Sequence, residues 1–418
     1  MSPERAEEYL LGLELFGMRF GLDRMHKLMT ALGMPQRRFA QIHVVGSNGK
    51  SSTTRFAAAL LERHGVRSGS YTSPHLGSFR ERVEVGEQAV SAERFATAVE
   101  RAAGAARMVE RTLPDDDAVT QFEALTAAAY HELAARNVEI AVIEAGLGGR
   151  YDATNVIPSR VQALTNVGLE HTRWLGPTVA DIAAEKLAVV RDHGTLVIGA
   201  DMHPDAELAA RRAAERHGAT LIKAPAALEG IELRAAGDFQ RGNFALAAGA
   251  VEAMLGRPLD PAAVRSAAGE TRIPGRMDIV DEHPLTIHDG AHNPAGARAL
   301  ASALPEVARR HGARGPLVVV LAVLEDKEAA AMIAALLGLV DTLILTRCAN
   351  PRSLSPATLD SLAAQVGAGR RETVVDPRAA VGRARALAGP GGTVVATGSI
   401  YLVADLTRDP TASRVSAL

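Results

Sequence analysis

The stretch that constrains this chain most is Ile42-His43-Val44-Val45-Gly46-Ser47-Asn48-Gly49-Lys50-Ser51-Ser52, which continues as a helical run from Thr53 to Arg63. An apolar strand enters a glycine loop, and a lysine with flanking hydroxyls opens a helix. That shape turns backbone N–H groups inward and aims the positive end of the helix dipole at an anion, which is how a chain holds nucleotide phosphates. An ordinary strand–turn–helix connection would look alike, but a lysine inside a tight glycine loop needs an anion nearby. The expected phosphate-binding residues are Gly46, Ser47, Asn48, Gly49, Lys50, Ser51 and Ser52. Lys50 is expected to reach the terminal phosphates, and the Ser51 hydroxyl to help hold magnesium. Val44, not glycine, stands five residues before Gly49, so the loop is a shortened form, G-S-N-G-K-S, of the common eight-residue pattern.

Around this stretch the chain alternates short apolar strands with longer helices, which argues for an α/β fold with a mostly parallel sheet. Strands are expected at 42–45, 68–72, 139–144, 161–166 and 195–198, and helices near 52–64, 92–112, 120–136 and 178–192. Before them, residues 5–33 read as one helix, with Leu10, Leu13, Leu15, Phe16, Met25, Leu28, Met29 and Leu32 at helical spacing. The 418 residues exceed one ordinary core, so two or three domains are expected. The best boundary is Thr271-Arg272-Ile273-Pro274-Gly275-Arg276, because Pro-Gly disfavours regular structure and a fresh alternation follows. Residues 1–273 and 274–418 are therefore expected as two domains. The second is a smaller doubly wound unit with five strands near 284–288, 317–321, 342–346, 372–375 and 393–397. Its helices are expected at 294–312, 327–338, 356–366 and 377–388.

A net charge of −2 offers no global basic field for nucleic acid or an anionic membrane, so neither is an expected partner. One cysteine, Cys348, cannot form an internal disulfide framework and fits a reducing compartment. The charged N-terminus has no apolar signal core, and no apolar run approaches membrane-spanning length, so a cytoplasmic location is expected.

Several strand ends carry chemistry. Tyr71-Thr72-Ser73-Pro74-His75-Leu76 follows one strand, and Ser73 is a second hydroxyl candidate near the phosphates, although a proline turn alone would look the same. Glu139 to Glu144 is an apolar strand delivering a carboxylate into Gly146-Leu147-Gly148-Gly149. A charge there is costly without a cation, and magnesium favours hard oxygens, so Glu144 is a candidate ligand. Thr165 to His171 repeats the arrangement with His171, which taken alone is equally an ordinary structural histidine. Asp115-Asp116-Asp117 reads as a solvated loop.

In the helix after Thr178, Val179, Ile182, Ala183, Leu187 and Val190 form one apolar stripe, and Lys186 falls in its middle. A snorkelling side chain at the stripe's edge is the simple explanation. The functional one is an inward lysine, salt-bridged or chemically modified. Ile287-His288-Asp289-Gly290-Ala291-His292-Asn293-Pro294 ends a strand and starts a helix, displaying Asp289 and His292. Arg276 lies just past the Pro-Gly hinge, and all three are expected to face a cleft between the domains.

Taken in order, these pieces resemble the folylpolyglutamate synthase/dihydrofolate synthase family of Mur-type ATP-dependent peptide ligases. The resemblance is carried by 42–52, 71–76 with Phe79-Arg80-Glu81-Arg82-Val83, 144–155, 168–176, Glu185-Lys186, Asn243, Arg276 and 289–294. It implies a P-loop Mur-ligase-type ATPase domain followed by a Rossmann-like α/β C-terminal domain. It also implies a chemistry: ATP converts a substrate carboxylate to an acyl phosphate, and the amino group of L-glutamate then expels phosphate. The acceptor would be dihydropteroate or a reduced folate, a choice the residue types leave open. ATP and magnesium, as two ions, are the implied cofactors. Ser51, Ser73, Glu144, His171 and Lys186 fall on metal positions, and Lys186 matches a lysine that becomes carbamylated. Lys50, Lys186, His171, Asp289 and His292 are the implied catalytic residues. Asn243 matches a position near the base, Arg276 and Asp289 match nucleotide-closing positions, and Phe79 and Arg82 match the acceptor-facing region. The resemblance also suggests a monomer. Ser47 replaces the family's usual threonine, and Ser51 follows the lysine directly; both keep hydroxyls. The alternatives are another Mur-type amino-acid ligase, which the short chain before Gly46 disfavours, and an ATP-closing module that ligates nothing.

Overall fold

The computed structural model describes residues 1–13 and 21–408. The described residues form two compact units, one of Met1–Glu232 with Arg241–Thr271, the other of Leu233–Gln240 with 272–408.

The first unit is built on an eight-stranded sheet of β1 (Ala40–Val45), β2 (Ser68–Tyr71), β3 (Val83–Val85), β4 (Gln88–Ala89), β5 (Ile140–Glu144), β6 (Val161–Leu164), β7 (Thr195–Ile198) and β8 (Thr220–Lys223). The spatial order is β4-β3-β2-β5-β1-β6-β7-β8. The six strands from β2 to β8 in that order run parallel, and only β3 and β4 are antiparallel additions at one edge. From β1 the chain leaves to one side for β2 and β5, and to the other for β6, so the carboxyl end of β1 is a topological switch point. Ligands collect at such points in open α/β sheets. The β1 register, Val44 opposite Glu144 and Val45 opposite Leu164, sets the ends of β5 and β6 on either side of the loop that follows.

The second unit carries β9 (Asp278–Glu282), β10 (Leu285–His288), β11 (Leu317–Leu321), β12 (Thr342–Leu345), β13 (Arg371–Thr373) and β14 (Thr393–Thr397), ordered β13-β12-β11-β14-β10-β9. All pair parallel except β9, which lies antiparallel on β10. The fully buried β10, β12 and β14, with β11 buried from Val318 onward, form the core of the sheet, as near-continuous apolar runs should in a parallel sheet covered on both faces.

Four expectations are corrected. Residues 5–33 are not one helix: the helix Pro3–Gly12 ends at Leu13, which is extended at φ −80° and ψ 154°, and a second helix spans Asp23–Ala31. Leu15 and Phe16 lie outside the described residues. The helix expected over 178–192 spans only Val179–Leu187. Asp117 is not simply solvated, since Arg24 Nη1 meets its carboxylate at 3.2 Å while Arg24 Nε meets Glu123 at 3.0 Å. That buried pair of contacts ties the helix Asp23–Ala31 to the helix Gln121–Ala135. The second unit also holds a sixth strand, β9, which a polar Asp-Ile-Val-Asp-Glu segment does not announce.

Candidate active site

The helix Lys50–Arg63 opens at Gly49, which is left-handed at φ +86°. A side chain there would be strained, and its Cβ would come within 2.3 Å of Asn243 Oδ1. Gly46 is equally committed, because a Cβ would meet Thr165 Oγ1 at 1.9 Å. The loop between them is braced from the end of β6. Asn166 O accepts the Ser47 N–H at 2.9 Å, Asn166 Oδ1 accepts the Asn48 N–H at 3.0 Å, and Ser47 Oγ accepts the Gly168 N–H at 3.1 Å. Ser52 is buried at the first helical turn.

Two lysines converge on this loop. Lys50 Nζ donates to Gly46 O at 2.9 Å and Ser47 O at 3.2 Å. Lys186 Nζ, 1 % exposed, also donates to Gly46 O at 2.9 Å and pairs with Glu170 Oε1 at 2.8 Å. The inward direction read from the apolar stripe is thus the observed one, with Ile182, Ala183 and Leu187 buried beside it. The helix starts with a capping box between Thr178 and Asp181. Burial alone would raise the Glu170 pKa, but Lys186, then Lys50, and a hydrogen bond from Ser47 overcome it and hold the carboxyl down at about 2. Burial pulls Lys186 below its ordinary value, opposed by Glu170 and assisted by the charge of Lys50. Glu170, one position before His171, is a candidate site residue that sequence reasoning passed over. His171 itself is half-buried at φ +47°, where the helix Thr172–Leu175 begins.

Across the loop, Glu144 is 2 % exposed at the end of β5. Its Oε1 accepts from Ser51 Oγ at 2.9 Å and its Oε2 from the Ser73 N–H at 3.1 Å. A carboxylate and a hydroxyl side by side at the first turn of a phosphate-loop helix form a donor set suited to a hard divalent ion such as magnesium. Ser73 reaches Glu144 through its backbone. The turn after Glu144 is seated on Lys186: a Cβ at Gly149 would lie 2.5 Å from Lys186 O. Among the described residues, no group of three or more His, Cys, Asp or Glu is arranged to hold a metal by itself.

Phe79 and Arg82 lie in a short turn, 2 % and 0 % exposed. Arg82 Nε donates to His75 Nδ1 at 3.0 Å, its guanidinium lies 5.6 Å from the Phe79 ring centroid, and the His75 and Phe79 rings are 4.4 Å apart. These residues shape the loop from within. In the second unit, Arg276, Asp289 and His292 form one cluster. Asp289 Oδ1 accepts the Ala291 N–H and Oδ2 the Met277 N–H, both at 2.8 Å. Arg276 Nη1 donates to Gly290 O at 3.0 Å, and His292 Nδ1 lies 2.9 Å from the same oxygen. Burial raises the Asp289 carboxyl, with Arg276 and the two amides pulling it back.

The first unit thus carries a lysine-bearing glycine loop at its switch point, beside a carboxylate and a buried lysine. The Mur ligase middle domain matches residues 44–238 and the Mur ligase glutamate ligase domain matches residues 275–400. The dihydrofolate synthase/folylpolyglutamate synthase of Bacillus subtilis is 30% identical over 96% of this chain and 98% of its own length. This chain belongs to the dihydrofolate synthase/folylpolyglutamate synthase family of Mur ligases. The family's members are ATP-dependent glutamate ligases, and the Escherichia coli dihydrofolate synthase/folylpolyglutamate synthase is 30% identical over 95% of this chain and 92% of its own. The structure of Mycobacterium tuberculosis folylpolyglutamate synthase complexed with ADP superposes with a TM-score of 0.90 at 30% identity, covering 98% of this chain and 99% of that one. E. coli FolC in complex with DHPP and ADP follows with a TM-score of 0.84 at 27% identity over 97% of each chain. Among the described residues no helix is long and apolar enough to cross a membrane.

Proposed function

We propose that this chain uses ATP to join L-glutamate to the carboxylate of dihydropteroate, a reduced folate, or both, by way of an acyl phosphate. The observation that carries the reading is the convergence of Lys50, Lys186, Glu170 and the Ser51–Glu144 pair on one glycine loop. Transfer of the terminal phosphoryl group to a carboxylate brings several anions together, and preorganised positive charge is what stabilises that crowding. Lys50, now resting on two loop carbonyls, is the cation free to follow the phosphates, while inward N–H groups of the loop hold the others. Ser51 and Glu144 would hold magnesium, which supplies charge neutralisation and polarises phosphoryl oxygens when bound.

Lys186 has a second proposed role. Its burial favours the neutral amine, the form that adds carbon dioxide and loses a proton to give a carbamate. The change turns a cation into an anion facing Glu170, so it demands a further cation beside the pair, in keeping with a second ion and with His171 nearby in sequence. Carbamylation is checked by labelling with ¹³C-bicarbonate and observing the carbonyl resonance. Arg276, Asp289, His292 and Asn243 are proposed to assist in handling the nucleotide, and Phe79 and Arg82 to influence the acceptor by shaping the loop 75–82. A monomer is the proposed working state.

The deciding assay is ADP release with dihydropteroate or tetrahydrofolate, each with and without glutamate. A ligase needs acceptor and amino acid together, and release without either would sink the assignment. Lys50→Ala and Lys186→Ala should each abolish turnover in a folded protein; full activity in the first would remove the loop as the phosphate site.

A further inference from the structure

His43 takes no part in the chemistry above, yet it is completely buried in β1 beside Val44, whose register partner is Glu144. Its Nδ1 has no hydrogen-bond partner, an expensive arrangement for an interior that an apolar residue would fill more easily. Its Nε2 lies 2.8 Å from Thr154 Oγ1. Thr154 Oγ1 donates onward to Asp152 Oδ1, and Asp152 Oδ2 accepts the Leu147 N–H at 2.8 Å. A hydroxyl has one proton. Since that proton goes to the Asp152 carboxylate, Thr154 presents a lone pair to His43, and Nε2 must carry the imidazole hydrogen. The chain therefore has one direction, from His43 through Thr154 to Asp152, and it ends on the turn that leaves Glu144.

That turn has little room to move elsewhere. A Cβ at Gly146 would sit 2.7 Å from Phe122 Cζ and 3.2 Å from Asp152 Oδ2, and Gly149 packs against the Lys186 carbonyl. We infer that His43 and Thr154 are positioning residues: through Asp152 they fix the 145–149 turn and with it the orientation of Glu144 and the seat of Lys186. The catalytic part of this inference rests on the ligase reading above; the structural part does not.

The test uses the full chain and two readouts, amide hydrogen exchange over residues 144–150 and steady-state ADP release. His43→Leu and Thr154→Val should raise exchange in the turn about tenfold or more. They should lower kcat about ten- to hundredfold, the size of effect seen when an outer partner of a site residue is removed, with the KM for ATP little changed. His43→Gln keeps an N–H donor where Nε2 stands and Thr154→Ser keeps the hydroxyl, so both should stay within about threefold of the parent. The double variant H43L/T154V should be no worse than the poorer single, because both break one chain. Unchanged exchange in folded Thr154→Val overturns the inference, as do multiplying losses in the double variant or a His43→Gln as impaired as His43→Leu. If His43→Leu does not fold, the Thr154→Val and Thr154→Ser pair decides alone. A parent chain that releases no ADP with glutamate would remove the ligase reading while leaving the exchange comparison standing.

Discussion

The buried histidine sets a pH dependence that surface charges would not. Burial, and then the charge of Arg191, push the His43 pKa down from 6.5 to about 3. The unfolded chain takes up this proton below pH 6.5 while the folded one refuses it, so stability falls as pH drops through that window. From pH 6.5 to 5 the loss from this one group is about 2 kcal/mol. His43→Gln should flatten the urea-unfolding stability measured at pH 7 and pH 5 by that amount; an unchanged slope would mean the imidazole is hydrated. Glu170 works in a lower window. With its carboxyl held at about 2 instead of 4.5, its ion pair contributes fully above pH 4.5 and is lost as pH falls toward 2. Glu170→Ala leaves the Lys186 ammonium buried with only Gly46 O, and breaking such a pair costs about 3–5 kcal/mol. Replacing both, as in Glu170→Ala with Lys186→Met, should recover part of it by removing the stranded charge, and denaturant midpoints would show this. The contrast explains what was legible. Lys186 announced itself because a helix has a period and a lysine in its apolar stripe violates it. Glu170 sits in a loop with no period, and His43 fell on the core face of a strand, where a residue type alone does not show which partner it meets.

At the level of elements, the central strands were readable because β1, β5, β6, β7, β11, β12 and β14 are short apolar runs flanked by helices, and their observed bounds differ from the expected ones by two residues or fewer. The strands β3, β4, β8 and β9 were not. β4 has two residues, and β8, Thr-Leu-Ile-Lys, has three exposed positions and one half-buried, so neither presents a buried apolar run. The helix Pro204–His217 and the helices Phe239–Leu255 and Pro261–Glu270 were passed over with them. The loop–helix junction at Gly49 yields the element-scale prediction. Gly49→Ala must place a side chain in the left-handed region at φ +86° and against Asn243, so the helix Lys50–Arg63 has to start elsewhere or push Asn243 aside. The backbone strain alone costs about 1–2 kcal/mol. ADP affinity measured by calorimetric titration should fall along with the urea midpoint. A variant that loses stability but binds ADP normally would show that the Gly49 geometry serves folding and not phosphate.

For the whole molecule, two separate cores and one phosphate loop make a prediction about how the chain unfolds. The bonds that Asn166, Gly168, Glu144 and Lys186 make to the loop all come from the first unit. The one tryptophan, Trp174, is in that unit too and is 42% exposed, so its fluorescence follows the unfolding of the first unit. A ligand that binds only the folded form stabilises by mass action, about 2.7 kcal/mol at a hundredfold excess over its Kd. Magnesium ADP should therefore move the tryptophan-detected unfolding transition by that amount, and Lys50→Ala should remove the shift while leaving the unliganded midpoint nearly in place. Far-ultraviolet circular dichroism sees both units, and unequal ligand stabilisation would separate its transition into two steps as ADP is added. Should ADP leave the tryptophan transition where it was and move only the remaining one, the phosphates would be held by the second unit, and the braced glycine loop would need another purpose.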